Sequence, residues 1–355
     1  MGRARDLASQ AIFVNDTGND SYIINGDMKV LQRGSTAATQ TGGGYFSADR
    51  WRYTQNGSFG SDVTPVIGHN ANANNGEFAN AITFTTTVGS SIAATDDAIY
   101  IEQRIEGQNL VDLRLGTSSA QPMTLSFWVK CSLTGTFGVG LYNDFSPNVT
   151  EAIVETYTIN TADTWEYKTI TFPAPTSGTF ATDNTTGLAV GFNMGGGSDH
   201  ELSTTGTWTN QAVGFSKTRT SSCVNVTATT DAVWELTGVK LEKGLIATPF
   251  KHESYSENLA KCQRYFAAFG GWPINTGNNN TPAGRIYSET YATTASTITW
   301  WLPVPMRDIP TEQLFALGGD NGGTKTDWST KDMWRQYDGD DTQRYAYNIR
   351  MGCEL

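Results

Sequence analysis

Residues 234–250 read WELTGVKLEKGLIATPF, and this stretch decides which class of fold the sequence indicates. Apolar and polar side chains alternate through Lys243, although imperfectly, which is the pattern of a β-strand with two unlike faces. Gly244 then permits a turn, and Pro249 excludes a helix at its own position while biasing Thr248 towards extended geometry. The stretch therefore predicts a strand that closes a β domain.

The composition favours short strands over helices along the rest of the chain. Of 355 residues, 37 are glycine and 11% are aromatic, and threonine, serine and asparagine are abundant. Glycine and asparagine favour turns, whereas threonine and aromatic residues favour strands.

The formal net charge of -11 opposes nucleic acid as a partner, because such binding needs Lys and Arg to neutralise phosphates. It opposes binding to a membrane surface for the same reason.

Targeting and cysteine signals are weak. No apolar run approaches the roughly twenty residues of a membrane helix, and the opening residues MGRARDLASQ lack the apolar core of a signal peptide. We therefore expect folding in the cytoplasm and no membrane insertion.

Because the cysteines are far apart, with no CxxC pair, we expect buried free thiols rather than a zinc site or a disulfide framework. The four cysteines are Cys131, Cys223, Cys262 and Cys353.

The strand signals divide the chain into four parts. We predict an N-terminal attachment arm at 1–19, a β-sandwich at 20–251, a linker helix at 252–271 and a smaller C-terminal β domain at 272–355. About eight to ten short strands before residue 250 would form a two-sheet jelly roll, which leaves few free sheet edges. The predicted fold class is therefore all-β: a jelly-roll β-sandwich followed by a short helix and a smaller C-terminal β domain.

Two of the predicted strands show the alternation of a half-buried sheet. In MTLSFWVK, Leu125 and Phe127 share one face and Trp128 lies on the other. In WEYKTITF, Tyr167 lies on the face opposite Ile170. Such strands fit antiparallel sheets with one face in the core and one face in water.

The segment SYIINGDMKVLQRGS predicts the opening strands of the sandwich. Asn25-Gly26 is a strong hairpin-turn pair, so residues 22–31 read as strand, turn and strand. The closing strand at 234–243 would then pair near this opening segment.

The segment SENLAKCQRYFAAF carries the one clear helix signal. Ser256 can cap its N-terminus, and Glu257 and Lys261 stand four residues apart, as a helical ion pair requires. We expect the chain to form a closed homo-oligomer, since closed cyclic assemblies avoid open-ended growth. The apolar stripe that would supply this contact consists of Leu259, Cys262 and Phe266.

Several phrases, taken in order, resemble a recurring module of bacteriophage virion proteins. They are INGDMKVLQRG, FSADRW, IEQRIEG, LSFWVKCSLTGTF, TWEYKTITFP, LTGVKLEKGLIATPFKHESYSENLAKCQRYF and LPVPMRDIPT. The module is best known from tail fibres and other appendages of phages that infect marine bacteria and cyanobacteria. The resemblance implies a virion location, other virion structural proteins as partners, and adhesion to a host cell-surface glycan. It also implies that the homo-oligomer is a trimer, because fibre-like proteins present identical tips around a symmetry axis.

The first and last strands also resemble, more distantly, those of jelly-roll carbohydrate-binding modules. In such modules, acidic residues on these strands often hold a structural calcium ion. The resemblance therefore implies calcium near Asp27 and Glu242, with no other cofactor. Lys29 stands where an acidic residue is common, and the last strand offers Gly238 and Lys240 rather than paired aspartates.

Signals of catalysis are poor. A glycosidase needs two carboxylates on either side of the scissile bond, but the acidic cluster at Asp338, Asp340 and Asp341 reads as a solvated turn. The three histidines have no partner at the spacing of a triad or a metal site. We therefore predict no catalytic residues and no enzyme activity.

Aromatic residues are the better candidates for recognition, because sugars can stack on flat rings that have polar groups beside them. Most tryptophans of a sandwich belong to its core, so the selection rests on sequence context. Trp51 and Tyr53 alternate with arginines, and Trp208 lies in GTWTN with few apolar neighbours. The predicted carbohydrate-binding residues are Trp51, Tyr53, Tyr142, Asn143 and Trp208.

Three functional hypotheses remain open from the sequence. The first is a non-catalytic tail fibre or appendage protein that binds host glycan. The second is a capsid decoration or head-fibre protein that uses the same sandwich as a spacer. The third is a polysaccharide depolymerase, which turnover of host capsule would reveal.

Overall fold

The computed structural model is mostly β-strand, and the prediction of an all-β jelly-roll sandwich is confirmed. Two compact units make up the chain: Met1–Lys29 with Ser35–Glu253, and Val30–Gly34 with Ser254–Leu355. The residues that the structure describes are 20–34, 37–40, 42–57, 63–73, 75–90, 94–143, 151–210, 216–269, 289–292, 295–308, 311–316, 325–329, 333–338 and 347–354. The predicted arm at 1–19 lies outside these residues.

The first unit is a sandwich of two six-stranded antiparallel sheets. Sheet I has the strand order β1-β3-β4-β12-β6-β9, and sheet II has the order β11-β8-β7-β10-β5-β2. The strands of the sandwich are β1 Ala38–Thr39, β2 Arg52–Asn56, β3 Thr64–Asn70, β4 Ala81–Val88, β5 Ala98–Glu106, β6 Met123–Cys131, β7 Gly135–Tyr142, β8 Glu151–Ile159, β9 Glu166–Phe172, β10 Thr186–Gly196, β11 Thr209–Asn210 and β12 Val233–Lys243.

Strand β12 contains the stretch that opened the sequence analysis, and it lies in the middle of sheet I between β4 and β6. Its register against β6 shifts between Thr237 and Lys240, which is a β-bulge. The bulge explains the imperfect alternation, because Trp234 and Leu236 before it and Val239 after it are all buried. One extra residue restores the apolar side chains to the core face.

The opening segment of the sandwich does not form the predicted strand, turn and strand, because residues 21–30 contain bends and a turn but no regular strand. It does lie against the closing strand, as predicted. The Tyr22 N–H donates to the Leu241 carbonyl at 2.9 Å, and the Val239 N–H donates to the Gly26 carbonyl at 3.0 Å. A Cβ at Gly26 would lie 2.0 Å from the Val239 carbonyl oxygen, so this contact needs glycine.

Aromatic rings from both sheets fill the core of the sandwich. The Phe192 ring lies 5.1 Å from that of Phe127 and 5.8 Å from that of Trp234, between ring centroids. The Trp234 indole N–H donates to the Tyr157 hydroxyl at 3.2 Å, so the one polar group of that side chain has a partner. These contacts join the inner faces of sheets I and II.

The second unit contains the helix α1, Tyr255–Gln263, which is shorter than the predicted 252–271. Ser254 rather than Ser256 caps it, in a reciprocal capping box with Glu257. The chain then turns into a strand, because residues 266–269 pair with the last strand of this unit. Its strands are β13 Phe266–Phe269, β14 Glu289–Ala292, β15 Ala295–Trp301, β16 Thr311–Ala316, β17 Lys325–Ser329, β18 Met333–Asp338 and β19 Tyr347–Gly352.

The predicted oligomer stripe is largely unavailable to another subunit. Cys262 is 0% exposed and Phe266 is 7% exposed. The Arg33 guanidinium lies 3.6 Å from the centroid of the Phe266 ring. The expectation that Cys262 and Phe266 form a contact between chains is therefore wrong, because they pack within their own chain. Leu259 is half-buried.

The prediction for the cysteines is confirmed. All four thiols are free and buried. Burial raises the pKa of Cys131 to about 11, so this thiol stays protonated near neutral pH.

Candidate functional site

An aromatic pair marks the outer face of sheet I. Trp128 of β6 and Tyr167 of β9 are direct partners in the register of the two strands, so their side chains project from the same face. Their ring centroids are 5.4 Å apart, with the planes tilted by 49°. Tyr167 is 46% exposed, so this pair presents aromatic surface to solvent.

Two phenylalanines from loops lie beside the aromatic pair. The Phe78 ring packs edge-on against that of Phe250, with 4.9 Å between centroids and an interplanar angle of 88°. Gly238, at the bulge of β12, has a φ of +60°, and a Cβ at this position would lie 2.6 Å from the Phe78 ring. The bulge therefore provides both the backbone conformation and the space that Phe78 needs.

Together these residues line a pocket with a volume of about 220 Å³. Glu77 stands at the pocket, and its Oε2 accepts a hydrogen bond from the Trp128 indole N–H at 3.3 Å. The arrangement of aromatic surface with a few polar groups is that of a small-ligand site. The residues that line the pocket are Glu77, Phe78, Ser126, Trp128, Tyr167, Gly238, Pro249 and Phe250.

A buried lysine holds the loop that carries Phe250. Lys240 is 1% exposed, and its ammonium donates to the Thr248 hydroxyl and to the carbonyls of Thr248 at 3.3 Å and Pro249 at 3.1 Å. Glu242 balances its charge at 3.2 Å and also accepts from the Thr248 N–H at 2.7 Å. The Lys240–Glu242 ion pair and these hydrogen bonds therefore hold in place the loop that forms the Phe250 side of the pocket.

The same contacts show that the predicted calcium site does not fit this chain. Glu242 is engaged with Lys240 and Thr248, and Asp27 pairs with Lys29 at 2.9 Å. Each carboxylate therefore already has an ammonium as its counter-charge. Among the described residues, no group of three or more His, Cys, Asp or Glu side chains is placed to hold a metal ion.

We expect removal of divalent cations to leave the stability of the protein unchanged. The lysine ammonium groups supply the positive charge beside Asp27 and Glu242, and they cannot be chelated. The melting temperature should be the same with excess EDTA as with added Ca²⁺. A fall in EDTA that Ca²⁺ reverses would contradict this assignment, because a ligand bound to the native state raises its stability.

Four of the five sequence-predicted sugar contacts are buried, and the prediction that they form a binding surface is wrong. Trp51 and Tyr53 are each 1% exposed, and Tyr142 and Asn143 are 0% exposed. The Trp51 indole N–H donates to the Asn25 carbonyl at 3.1 Å. These side chains serve packing and internal hydrogen bonding.

Tyr142 belongs to a buried polar cluster on sheet II. Its hydroxyl donates to Glu102, which also pairs with Arg52 at 2.7 Å and with Arg104 at 3.2 Å. Burial by itself would raise the pKa of Glu102, but the two guanidinium groups and the Tyr142 hydroxyl lower it overall. A buried, fully paired carboxylate of this kind stabilises structure and is poorly suited to proton transfer.

Trp208 remains a prediction, at a place separate from the pocket lining. Its indole N–H donates to the Pro173 carbonyl at 2.6 Å, and its ring meets Phe180 edge-on with 5.8 Å between centroids. The side chain is half-buried. The structure therefore leaves part of this ring exposed, and it places Trp208 directly before β11, which pairs with β8 on the side opposite the strand that carries Tyr142.

The pocket residues were partly visible in the sequence. The alternation in β6 and β9 placed Trp128 and Tyr167 on the wet faces of two strands, yet their pairing across the strands could not be read from either segment. Glu77, Phe78 and Phe250 come from loops that carry no periodic signal. The position of Phe78 depends on the bulge in β12, and that of Phe250 depends on the contacts of Lys240 with Thr248 and Pro249.

Neither a family model nor a curated protein matches the sequence. Solved structures similar to this chain include the family 11 carbohydrate-binding module from Clostridium thermocellum, with 12% identity, a TM-score of 0.31, and coverage of 60% of this chain and 99% of that one. The N-terminal cellulose-binding domain of a β-1,4-glucanase from Cellulomonas fimi has 12% identity, a TM-score of 0.27, and coverage of 47% and 80%.

A bacteriophage protein is also similar: the enzymatically active domain of tailspike protein 4 from bacteriophage CBA120. It has 15% identity and a TM-score of 0.30, and the match covers 55% of this chain and 19% of that chain. At such identities and TM-scores, nothing about the ligand of this chain follows from its neighbours.

In the part of the chain that the structure describes, none of the helices has the length and apolar character of a transmembrane helix.

The fold and the site together define a jelly-roll β-sandwich with an aromatic pocket on the outer face of one sheet.

Proposed function

We propose that this chain is a non-catalytic glycan-binding protein that uses the pocket on sheet I to hold a sugar. The observation that carries the proposal is the adjacent pair of Trp128 and Tyr167, partly exposed beside a carboxylate and two further aromatic rings. Sugars offer flat C–H faces to aromatic rings and hydroxyl groups to carboxylates. The pocket supplies both kinds of contact.

We propose further that the chain belongs to a phage virion, as a tail fibre or appendage component that adheres to the host surface. The ordered phrases from INGDMKVLQRG to LPVPMRDIPT support this location. A capsid decoration or head-fibre role is the alternative, since it would use the same sandwich as a spacer. A homotrimer would raise the avidity of weak individual sites for a glycan-coated cell.

The depolymerase hypothesis has less support from the geometry. Glycosidases hold two carboxyl groups roughly 5–9.5 Å apart across the sugar bond. The lining of the pocket includes one carboxylate, that of Glu77. We therefore place binding, rather than hydrolysis, at this site.

The experiment that tests the proposal is competition for host adsorption. Purified protein added to host cells should occupy the surface glycan and slow adsorption of the phage, and enzymatic removal of that glycan should abolish binding of the protein. Protein that binds native and glycan-stripped cells equally well would overturn glycan recognition. Gold-labelled antibody on intact virions would separate a tail location from a capsid location.

A further inference from the structure

We propose that the pocket on sheet I prefers a sugar that carries a protonated amino group and disfavours acidic sugars. This inference rests on the proposed function and names the chemical class of its ligand. It follows from the charges of the pocket, from its aromatic surface and from the state of the neighbouring lysines.

The pocket has a negative charge with spare bonding capacity. Among the described residues that line the pocket, Glu77 is the one charged side chain. Its Oε2 accepts from Trp128, and no donor among the described residues bonds to its Oε1. A carboxylate has room for about four hydrogen bonds, so Glu77 can accept more from a ligand. An ammonium group on a sugar is the strongest donor that it could receive.

The aromatic surface favours the same charge. A cation is attracted to the face of a Trp, Tyr or Phe ring within about 6 Å of its centroid. Trp128 donates directly to Glu77, and the Tyr167 ring lies beside it. Because Trp128 meets Glu77 through the N–H edge of its indole, the ring faces that a cation at Glu77 could meet are those of the other lining residues, Tyr167, Phe78 and Phe250.

The nearby lysines are engaged elsewhere, so they do not offer a ready partner for an acidic sugar. Lys130 lies two residues along the same face of β6, where it pairs with Glu235 and its ammonium is 5.2 Å from the Trp165 ring centroid. Lys168 pairs with Glu166 at 2.6 Å and lies on the opposite face of β9 from Tyr167, away from the pocket. The carboxylate of a uronic acid would face Glu77 without a compensating cation in the lining.

The pocket has room for about one sugar residue. At about 220 Å³, the pocket is smaller than the roughly 300–1,000 Å³ of sites for drug-sized ligands. Single methyl glycosides are therefore suitable probes, and they differ from one another in charge more than in shape.

The test titrates the full chain with the methyl glycosides of glucosamine in its protonated form, N-acetylglucosamine and glucuronic acid. The readout is the indole N–H resonance of Trp128 in an NMR spectrum, assigned by its absence from Trp128→Ala. We expect glucosamine to bind about tenfold more tightly than N-acetylglucosamine, and glucuronic acid to bind most weakly. Added salt should narrow these differences, because the charges lie near the surface.

The matched variants are Glu77→Gln, which removes the charge at the pocket, and Asp96→Asn, which removes an exposed charge outside its lining. Glu77→Gln should abolish the preference for glucosamine while leaving N-acetylglucosamine binding nearly unchanged. Asp96→Asn should keep the preference.

The outcomes separate the two claims. Glucuronic acid binding as well as glucosamine, or a preference that survives Glu77→Gln, would overturn the charge inference and leave glycan binding intact. If none of the three sugars shifts the Trp128 resonance even at high concentration, and host glycan does not shift it either, the proposed function at this pocket fails and the inference fails with it.

Discussion

Replacing Trp128 with Ala should weaken sugar binding by about thirtyfold or more, because a central aromatic contact of a binding site is commonly worth about 2 kcal/mol. The side chain forms the pocket together with Tyr167 and also orients Glu77 through its indole N–H. Its removal therefore takes away both the stacking surface and the donor that positions the carboxylate.

The folded state should tolerate this change. Trp128 is half-buried on the outer face of sheet I rather than in the core, and a cross-strand pair such as Trp128 with Tyr167 contributes about 1 kcal/mol or less. Calorimetric titration with host glycan and thermal denaturation of the same sample measure the two quantities separately. Lost binding with a large loss of stability would instead mark Trp128 as a packing residue.

Trp208→Ala tests the competing site, since it removes a second half-buried tryptophan of the same unit that lies outside the pocket lining. If the pocket is the sugar site, Trp208→Ala should retain binding; if the sequence-predicted Trp208 is the contact, binding should be lost. If Trp208→Ala loses binding while Trp128→Ala retains it, recognition lies where the sequence alone first placed it, and the assignment of the pocket is wrong.

Replacing Trp234 with Ala should have the largest effect on stability, about 3–5 kcal/mol. The side chain is 0% exposed at the centre of the sandwich, where its ring packs against Phe192 and its N–H bonds to Tyr157. The substitution opens a cavity and leaves the Tyr157 hydroxyl without this donor. For a unit of this size, the melting temperature should fall by about 10 °C or more.

Trp234→Phe separates the two contributions. It keeps an aromatic ring against Phe192 and removes the hydrogen bond to Tyr157, so most of the stability should remain. Urea denaturation of both variants gives the free energies of unfolding. A cost below about 1 kcal/mol for Trp234→Ala would contradict the placement of this residue in the core.

Much of the fold follows from local sequence pattern. The alternation in 166–172 correctly separates buried from outward side chains, because a strand places successive residues on opposite faces whatever its partners are. In 123–131 the separation is incomplete, since Thr124 and Ser126 are buried although they share the face of Trp128. The spacing of the cysteines correctly indicates free thiols. The prediction of a strand, a turn and a second strand in the opening segment is wrong. The turn preference of Asn25-Gly26 is a property of these two residues, whereas a strand forms only where a neighbouring strand is available for pairing.

The helix shows how small local differences decide a boundary. Ser254 and Ser256 are both competent caps, and the sequence offers no choice between them by residue type alone. Glu257 stands three residues after Ser254, and its Oε2 accepts a hydrogen bond from the Ser254 backbone N–H at 3.0 Å, so the capping box selects the earlier serine. The helix then stops at Gln263 because the following residues pair as a strand.

Sequence by itself determined that this protein is an all-β sandwich, and it determined the two faces of several strands, because both follow from period-two alternation and turn residues. The sequence did not determine which of the sheet faces that point away from the core are exposed to solvent. Tyr142 lies on a face of sheet II that residues 216–219 cover; a Cβ at Gly140 would come within 2.0 Å of the Lys217 carbonyl oxygen. Trp128 lies on a face where the bulge at Gly238 leaves a pocket. Whether an outward aromatic ring is buried or available therefore depends on segments distant in the chain, and only tertiary packing brings those segments to the sheet.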